Sequence, residues 1–339
     1  MERGIVMPRR VRPLALLAAL IGGAVLAPVF SADAPTYDGD LSDNPRAQLG
    51  RQLFFDPILS RDRTVSCASC HQPARAFADD RALSLGVEGR LGTRNTPSVM
   101  NSAGRTRFFW DGRSETLEEQ ALAPIANPLE MDLPVDDAVA RLLADPAWVA
   151  RFQDTYGAAP SPRTLGRALA AYQKTLNTVD SPYDRYALGQ EDAISDAAKR
   201  GRLLFITKAQ CVSCHAGEDF TSDRFKNIGI YNGREFNDEG RGGVTGDPAQ
   251  KGEFKVPGLR NVALTAPYMH NGMFKTLREV IVYYDDPGKV IPDSIGRDAQ
   301  LRDPLHLTEA EIDDIEQFLH TLTDDRFASR ATSSTASPP

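Results

Sequence analysis

Between residues 115 and 176 apolar side chains return at intervals of three and four, the period of a helix with one buried face. The pattern predicts helices over 115–123, 135–143, 147–156 and 163–176. Pro124, Pro128, Pro134, Pro146 and Pro160 punctuate the stretch, as residues that cannot continue a helix should. A further helix is predicted over 276–284. A terminal one follows Thr308, which with Glu311 forms a capping box ahead of Ile312, Ile315, Phe318 and Leu319. Residues 224–257 are rich in Gly, Asn and Asp. They predict a long loop with a short hairpin in it, a length that is usually functional or wraps a bound group. The tail from Ala328, rich in Ser and Thr, predicts disorder over 328–339.

One apolar run has a different meaning. Arg9, Arg10 and Arg12 precede a stretch from Leu14 to Phe30, broken by Gly22, Gly23 and Pro28, with small residues at Ser31, Ala32 and Ala34. It is short and interrupted for a membrane span and reads as a secretory signal over 1–31, which places the rest of the chain in the periplasm. An uncleaved N-terminal anchor is the alternative. An integral membrane protein is not expected.

The helical pattern repeats. The octet Ala47 to Phe54 and the octet Ala198 to Phe205 each set a Gly three residues before a Leu and end on Phe. Each octet leads through a loop to the same five-residue signature. The first copy is Cys67-Ala68-Ser69-Cys70-His71 and the second is Cys211-Val212-Ser213-Cys214-His215. C-x-x-C-H is the attachment signature of c-type haem: two thiols one turn apart reach the two vinyl groups, and the next imidazole meets the iron. A redox dithiol or half of a zinc site is the competing reading, but neither cluster brings further Cys. The two copies use all 4 cysteines, so no thiol is left for a disulfide. The expectation is a mainly α protein with two cytochrome c-like haem domains in tandem, about 40–180 and 190–325, holding two covalent haems.

Charge narrows the partners. The full chain carries −7 and residues 1–31 carry +3, which leaves about −10 on the exported part. An acidic surface disfavours nucleic acid and steers basic partners. His71 and His215 supply the fifth ligands, and the sixth position decides between electron transfer and peroxide chemistry. His306 and His320 lie in or beside the terminal helix and read as surface residues. His270, beside Met269 in the polar stretch Pro267 to Gly272, is better placed to face a haem.

Five blocks now carry a resemblance. They are the two haem motifs; Gly92-Thr93-Arg94-Asn95-Thr96-Pro97; Phe109-Trp110-Asp111-Gly112-Arg113 with Leu117 to Ala121; Pro124-Ile125-Ala126-Asn127-Pro128-Leu129-Glu130-Met131; and Val256 to Asn261 running into Thr265 to His270. From about residue 44 to 322 the chain resembles the bacterial di-haem cytochrome c peroxidases, and in particular their MauG-like branch.

The resemblance implies that the N-terminal haem is the peroxide site and that the C-terminal haem relays electrons. It implies Glu118 as the carboxylate that moves a proton between the peroxide oxygens. It implies a calcium ion between the haems, held by Asn95 and by the carbonyls of Thr265 and Pro267, with Trp110 in the haem environment. The partners implied are hydrogen peroxide and a small redox protein, either a cytochrome c or a copper protein, or else a protein substrate whose side chains are oxidised. A non-enzymatic di-haem electron carrier is the competing class.

Departures from the family pattern refine this. Val87 stands where many relatives place a His that blocks the first iron. Tyr284 stands where electron-transferring members place a Met on the second. No Trp follows the Arg94-Asn95-Thr96-Pro97 block, and Phe108 is expected at the position often held by a Gln.

Overall fold

The computed structural model describes residues 43–178 and 180–328, together with Met1 and Leu41. The expected signal over 1–31 and the tail beyond Ala328 lie outside the described residues. Thirteen helices are described: α1 Pro45–Phe55, α2 Cys67–Cys70, α3 Leu117–Ala126, α4 Val135–Leu143, α5 Pro146–Tyr156, α6 Pro162–Gln173, α7 Pro182–Ala187, α8 Asp196–Ile206, α9 Arg241–Thr245, α10 Leu277–Asp285, α11 Pro287–Val290, α12 Glu309–His320 and α13 Asp325–Ala328. The one two-stranded sheet pairs β1, Phe225–Lys226, antiparallel with β2, Phe254–Lys255. The protein is mainly α, as its apolar period predicts. The expected hairpin exists, but its strands bracket a long loop that holds α9 rather than a tight turn. No helix of the described residues is long and apolar enough to cross a membrane.

Local signals set the helix ends. Asn44 caps α1 by accepting from the Ala47 amide at 3.1 Å, with Pro45 in the first turn. Thr308 and Glu311 make the reciprocal box that starts α12, at 3.3 and 2.8 Å. Helix α3 differs from expectation. Thr116 is its cap, not part of it, and the helix runs through Pro124 to Ala126. Pro124 only withholds an amide from the Gln120 carbonyl, one turn from the end, where a helix tolerates it better than mid-way.

The two repeated glycines explain the architecture. A Cβ on Gly50 would lie 1.9 Å from the Ala168 carbonyl oxygen, and one on Gly201 would lie 1.8 Å from that of Asp314. Only Gly lets α1 cross α6, and α8 cross α12, at backbone contact. Each crossing organises its own core. The first gathers Leu49, Leu53, Phe54, Leu165, Leu169 and Tyr172 with α4 and α5. The second gathers Phe205, Phe220, Ile281, Ile315, Phe318 and Leu322. Phe54 and Phe318 sit edge-on to neighbouring rings in their respective cores.

Candidate functional site

Both C-x-x-C-H motifs open into one cavity of about 990 Å³. Cys67, Cys70, His71, Cys211, Cys214 and His215 all line it. The four cysteines are free, and burial pushes the thiols of Cys67 and Cys211 up to about 12 and that of Cys70 up to about 11. His71 Nδ1 stands 3.1 Å from the Phe77 carbonyl oxygen, and His215 Nδ1 stands 3.0 Å from that of Phe220. A carbonyl can only accept, so each Nδ1 carries the hydrogen and each Nε2 keeps its lone pair. Burial lowers both imidazole pKa values, that of His71 to about 4, and keeps the rings neutral. Two thiols, one oriented neutral imidazole and a slot beside them fit a c-type haem at each motif.

The two halves of the cavity are built by one repeated unit. Residues 108–124 and 268–284 share a register. Phe108 bridges Ser114 as Tyr268 bridges Phe274. Phe109 and Met269 have φ of 65° and 72°, and Gly112 and Gly272 both have φ of 66°. Thr116 caps α3 by accepting from Glu119, as Thr276 caps α10 by accepting from Glu279. Each unit presents four helical positions to the cavity at i, i+3, i+4 and i+7. They are Leu117, Gln120, Ala121 and Pro124 in the first and Leu277, Val280, Ile281 and Tyr284 in the second. Thus Tyr284 on the second side holds the register position that Pro124 holds on the first. A phenol can ligate iron and a proline cannot.

Tyr284 is distinguished from its neighbour. Tyr283 is fully buried and donates to the Ile228 carbonyl at 2.8 Å, a structural role. Tyr284 lines the cavity, and burial, with Tyr283, Cys211 and Cys214 nearby, pushes its phenol far above the ordinary tyrosine range. Met269 also lines the cavity and packs with Tyr284 in a small apolar cluster. The Met273 sulfur takes a contact of 3.7 Å from Asn271 Nδ2 instead.

Glu118 is not among the residues on the cavity wall. It lies off the i, i+3, i+4 stripe, and its carboxylate accepts from Lys174 Nζ at 2.7 Å on the outer side of α3. Burial raises its pKa, but the Lys174 bond and the Lys174 and Arg167 charges prevail and hold it below the usual range. Its counterpart Arg278 likewise turns to a neighbouring helix and pairs with Asp313 and Glu309. A carboxyl that does line the cavity, with its charge felt by Cys67 and Cys70, is that of Glu130 in the turn after α3. Asn127 Nδ2 donates to its Oε1 at 2.6 Å. Burial raises its pKa against the Asn127 bond and the more distant Arg113 charge. The family resemblance pointed to Glu118 as the proton-moving carboxyl and gave Glu130 and Gln120 no role. The 160-residue repeat would have found Gln120. Phe108 lines the cavity too, and Gln120 is one of the side-chain amides on its wall.

Val87 is buried in the first core, and its amide donates to the Glu130 carbonyl at 2.8 Å. Its loop offers no imidazole to the pocket. His306 and His320 are exposed.

Trp110 joins the halves. Its indole donates to the Asn95 carbonyl at 2.8 Å, and its own carbonyl accepts from the Lys255 amide at 2.7 Å. The Asn95 amide in turn donates to the His270 carbonyl at 2.7 Å. The His270 ring stacks on Phe254 with centroids 3.7 Å apart and is held neutral by burial, its pKa lowered to about 4. The aromatic group between the two motifs is therefore Trp110, thirteen residues after Pro97 rather than directly behind it. Asn95 Nδ2 donates to the Arg81 and Ala82 carbonyls at 3.1 and 3.3 Å, which leaves Oδ1 as its spare oxygen. Thr265 and Pro267 line the same cavity. Among the described residues no cluster of three or more His, Cys, Asp or Glu could hold a metal. A cation here would be held by neutral oxygens and water, a donor set that suits calcium and no softer ion.

This frame defines a c-type cytochrome with two facing haem pockets of unequal chemistry. Residues 44–192 match the di-haem cytochrome c peroxidase family and residues 198–323 match cytochrome c. Methylamine utilization protein MauG of Methylorubrum extorquens is 40% identical over 284 residues, covering 82% of this chain and 78% of that one. Cytochrome c peroxidase Ccp of Escherichia coli is 37% identical over 289 residues, covering 83% of this chain and 58% of that one. The crystal structure of a MauG-like protein associated with microbial copper homeostasis superimposes with a TM-score of 0.76 at 34% identity, covering 84% of this chain and 90% of that one. The chain belongs to the di-haem cytochrome c peroxidase family, whose members are oxidoreductases with c-type haems.

Proposed function

We propose that the protein is a periplasmic peroxidase that reduces hydrogen peroxide in the pocket of His71 with electrons from a small redox protein. The observation that carries this is the presence of a neutral His71 and the half-buried carboxyl of Glu130 on the wall of one cavity. A c-type haem bound there supplies the iron on which peroxide takes up two electrons. Glu130 takes a proton from one peroxide oxygen and returns it to the other, so the departing oxygen leaves as water and not as hydroxide. Over the whole turnover one peroxide takes up two protons and two electrons, the electrons supplied in the end by the redox partner, and becomes two waters. The Gln120 amide can donate to a peroxide oxygen from the same wall, and Pro124 leaves the sixth position to the substrate. Trp110 lies on the route by which electrons cross between the pockets. Asn95, Thr265 and Pro267 would hold a calcium ion, which would brace the two halves against each other.

A second reading has its own support. Tyr284 at the second haem would favour the oxidised metal and lower its potential, which suits an enzyme that withdraws electrons from side chains of a partner protein. Turnover of peroxide with reduced cytochrome c, measured beside oxidation of a candidate protein substrate, separates the two. Replacing Glu130 with Gln and finding the peroxide step unchanged would overturn both.

A further inference from the structure

We infer that Arg90 is a positioning residue for Glu130: a charged clamp across the loop of residues 84–92 fixes the turn that aims this carboxyl into the first pocket. The inference rests on the reading of Glu130 given above.

The turn that carries Glu130 runs from Asn127 to Asp132, and two segments hold it. The loop is closed on itself by Gly86 to Arg90 and Gly92 to Ser84 backbone bonds of 2.8 and 2.9 Å. It lies flat on the turn. A Cβ on Gly86 would sit 2.2 Å from the Leu129 carbonyl oxygen and 2.4 Å from that of Glu130, so only Gly allows this approach. From the loop, Arg90 Nη1 donates to the Pro128 carbonyl and to the Asp132 carboxylate, both at 2.8 Å. These two acceptors bracket Glu130 in sequence. The other end of the guanidinium, Nη2, donates to Glu88 at 2.7 Å, and Glu88 sits at φ 57°, a backbone region that a non-Gly residue adopts only when its surroundings hold it. Arg61 closes the ring with ion pairs to Glu88 at 2.5 Å and to Asp132 at 2.8 Å.

A single exposed ion pair contributes little, but a network with a forked guanidinium at its centre has fixed geometry. Here that geometry is communicated. The loop's Val87 amide bonds the Glu130 carbonyl, so the loop cannot lift without turning the residue whose carboxyl faces the pocket. Placement matters because a displacement of about 1 Å can cost about 10²-fold in rate.

The test uses the full di-haem protein and rapid mixing of the ferric form with peroxide. R90M is expected to slow the Soret change about tenfold or more while the ferric spectrum keeps its open-haem signature. In infrared titration, the Glu130 carboxyl band, identified by its loss in E130Q, should shift in R90M. The control is R141M, which removes three bonds of 2.8, 2.6 and 3.2 Å to the carbonyls of Ile58, Ser60 and Arg61 and none to residues 128–132. R141M should leave the rate and the band in place. If R90M does not fold, D132N removes the same clamp and should act in the same direction. A wild-type rate with an unmoved band in R90M or D132N, or equal slowing in R141M, would overturn the inference. If E130Q itself reacts normally, the reading of Glu130 fails first; if E130Q is slow and R90M is not, only the clamp fails.

Discussion

Arg94 grips Asp238 with two bonds, Nε at 2.7 Å and Nη2 at 2.8 Å, and so ties the first haem half to the long loop of the second. The same guanidinium donates to Asp111 at 2.5 Å, and Asp111 is buried. Burial raises the Asp238 pKa, but the Arg94 bond and the Gly240 amide prevail and hold the carboxyl below its usual range. A depressed carboxylate contributes stability above its unfolded pKa and loses it as pH falls through the folded one. Arg94→Met leaves Asp238 without its paired cation at neutral pH and Asp111 with Arg113 alone. It should cost about 2–3 kcal/mol, less than the roughly 3–5 of a fully buried pair. Calorimetry should show the gap from wild type narrowing as pH falls below about 4. A constant gap would mean that Arg94 acts by packing alone.

Glu130→Gln should slow the peroxide step about 10²–10⁴-fold, the usual worth of a general acid–base group. Glu118→Gln should leave it within about twofold, because Glu118 is engaged with Lys174 outside the cavity. The Glu130 pKa is raised, so the base form appears only above the ordinary carboxylate range near 4.3. The wild-type rate should therefore fall on an acid limb that begins above that range, and Glu130→Gln should abolish this limb. Stopped-flow absorbance across pH 4 to 8 reads both. The opposite ranking of the two variants would return the proton work to Glu118.

What the sequence revealed and what it hid divide along physical lines. The haem motifs, the glycine crossings and the α12 capping box are local patterns with one chemical meaning each, and they were legible. Gly50 and Gly201 mark α1 and α8 as closely crossed helices, but α6 and α12 as their partners come from the fold. The direction of a helical side chain is another matter. Glu118 and Gln120 differ by 200° around α3, and only the packing of α3 on α6 decides which faces the cavity. Lys174, 56 residues from Glu118, is invisible as its partner until the fold is known. Glu130 lies in a turn, where periodicity is silent. Trp110 was read as haem environment, while its place between the halves depends on bonds to Asn95 and Lys255, residues 15 and 145 positions away.

The first pocket should react with peroxide in the fully ferric protein, without prior reduction of either haem. Val87 is packed into the core, and Pro124 occupies the helical position that holds Tyr284 in the other half. Neither can close the site. Mixing the oxidised protein with peroxide should change the Soret band within seconds. A reaction seen only after one-electron reduction would mean that some other group closes the pocket at rest.

If the proposed calcium is present, removing divalent cations should lower activity and leave the haems in place, because thioether links would be covalent while the cation would only set geometry. Asn95 is the sensitive residue. Its Nδ2 bonds to Arg81 and Ala82 fix the amide so that Oδ1 is the free donor. Chelation followed by calcium add-back should lower and restore turnover, while pyridine haemochrome spectra stay constant. Asn95→Ala should show low activity that added calcium does not restore. Indifference of wild type to chelation would remove Asn95, Thr265 and Pro267 from any metal role.

Tyr284 and Tyr283 offer the sharpest comparison, because one helix presents two adjacent phenols with different tasks. Tyr283 is held by the Ile228 carbonyl inside a packed cluster, so Tyr283→Phe should cost about 1–3 kcal/mol for the acceptor left unmet and leave the haem spectra unchanged. Tyr284 stands in the cavity beside Cys211 and Cys214, and burial disfavours its phenolate. Such a phenolate needs a cation beside it, and on the proposed reading a ferric iron at His215 would supply it. Tyr284→Phe should therefore change the second haem and little else. Its ferric magnetic circular dichroism should lose the tyrosinate signature, and its midpoint potential should rise, since a hard anionic ligand favours the oxidised metal. Reduced cytochrome c should then donate to the variant more readily than to the wild type, and oxidation of a protein side chain should fall. A methionine–iron band in the wild type would assign the position to Met269, and the protein would act as an ordinary cytochrome c peroxidase.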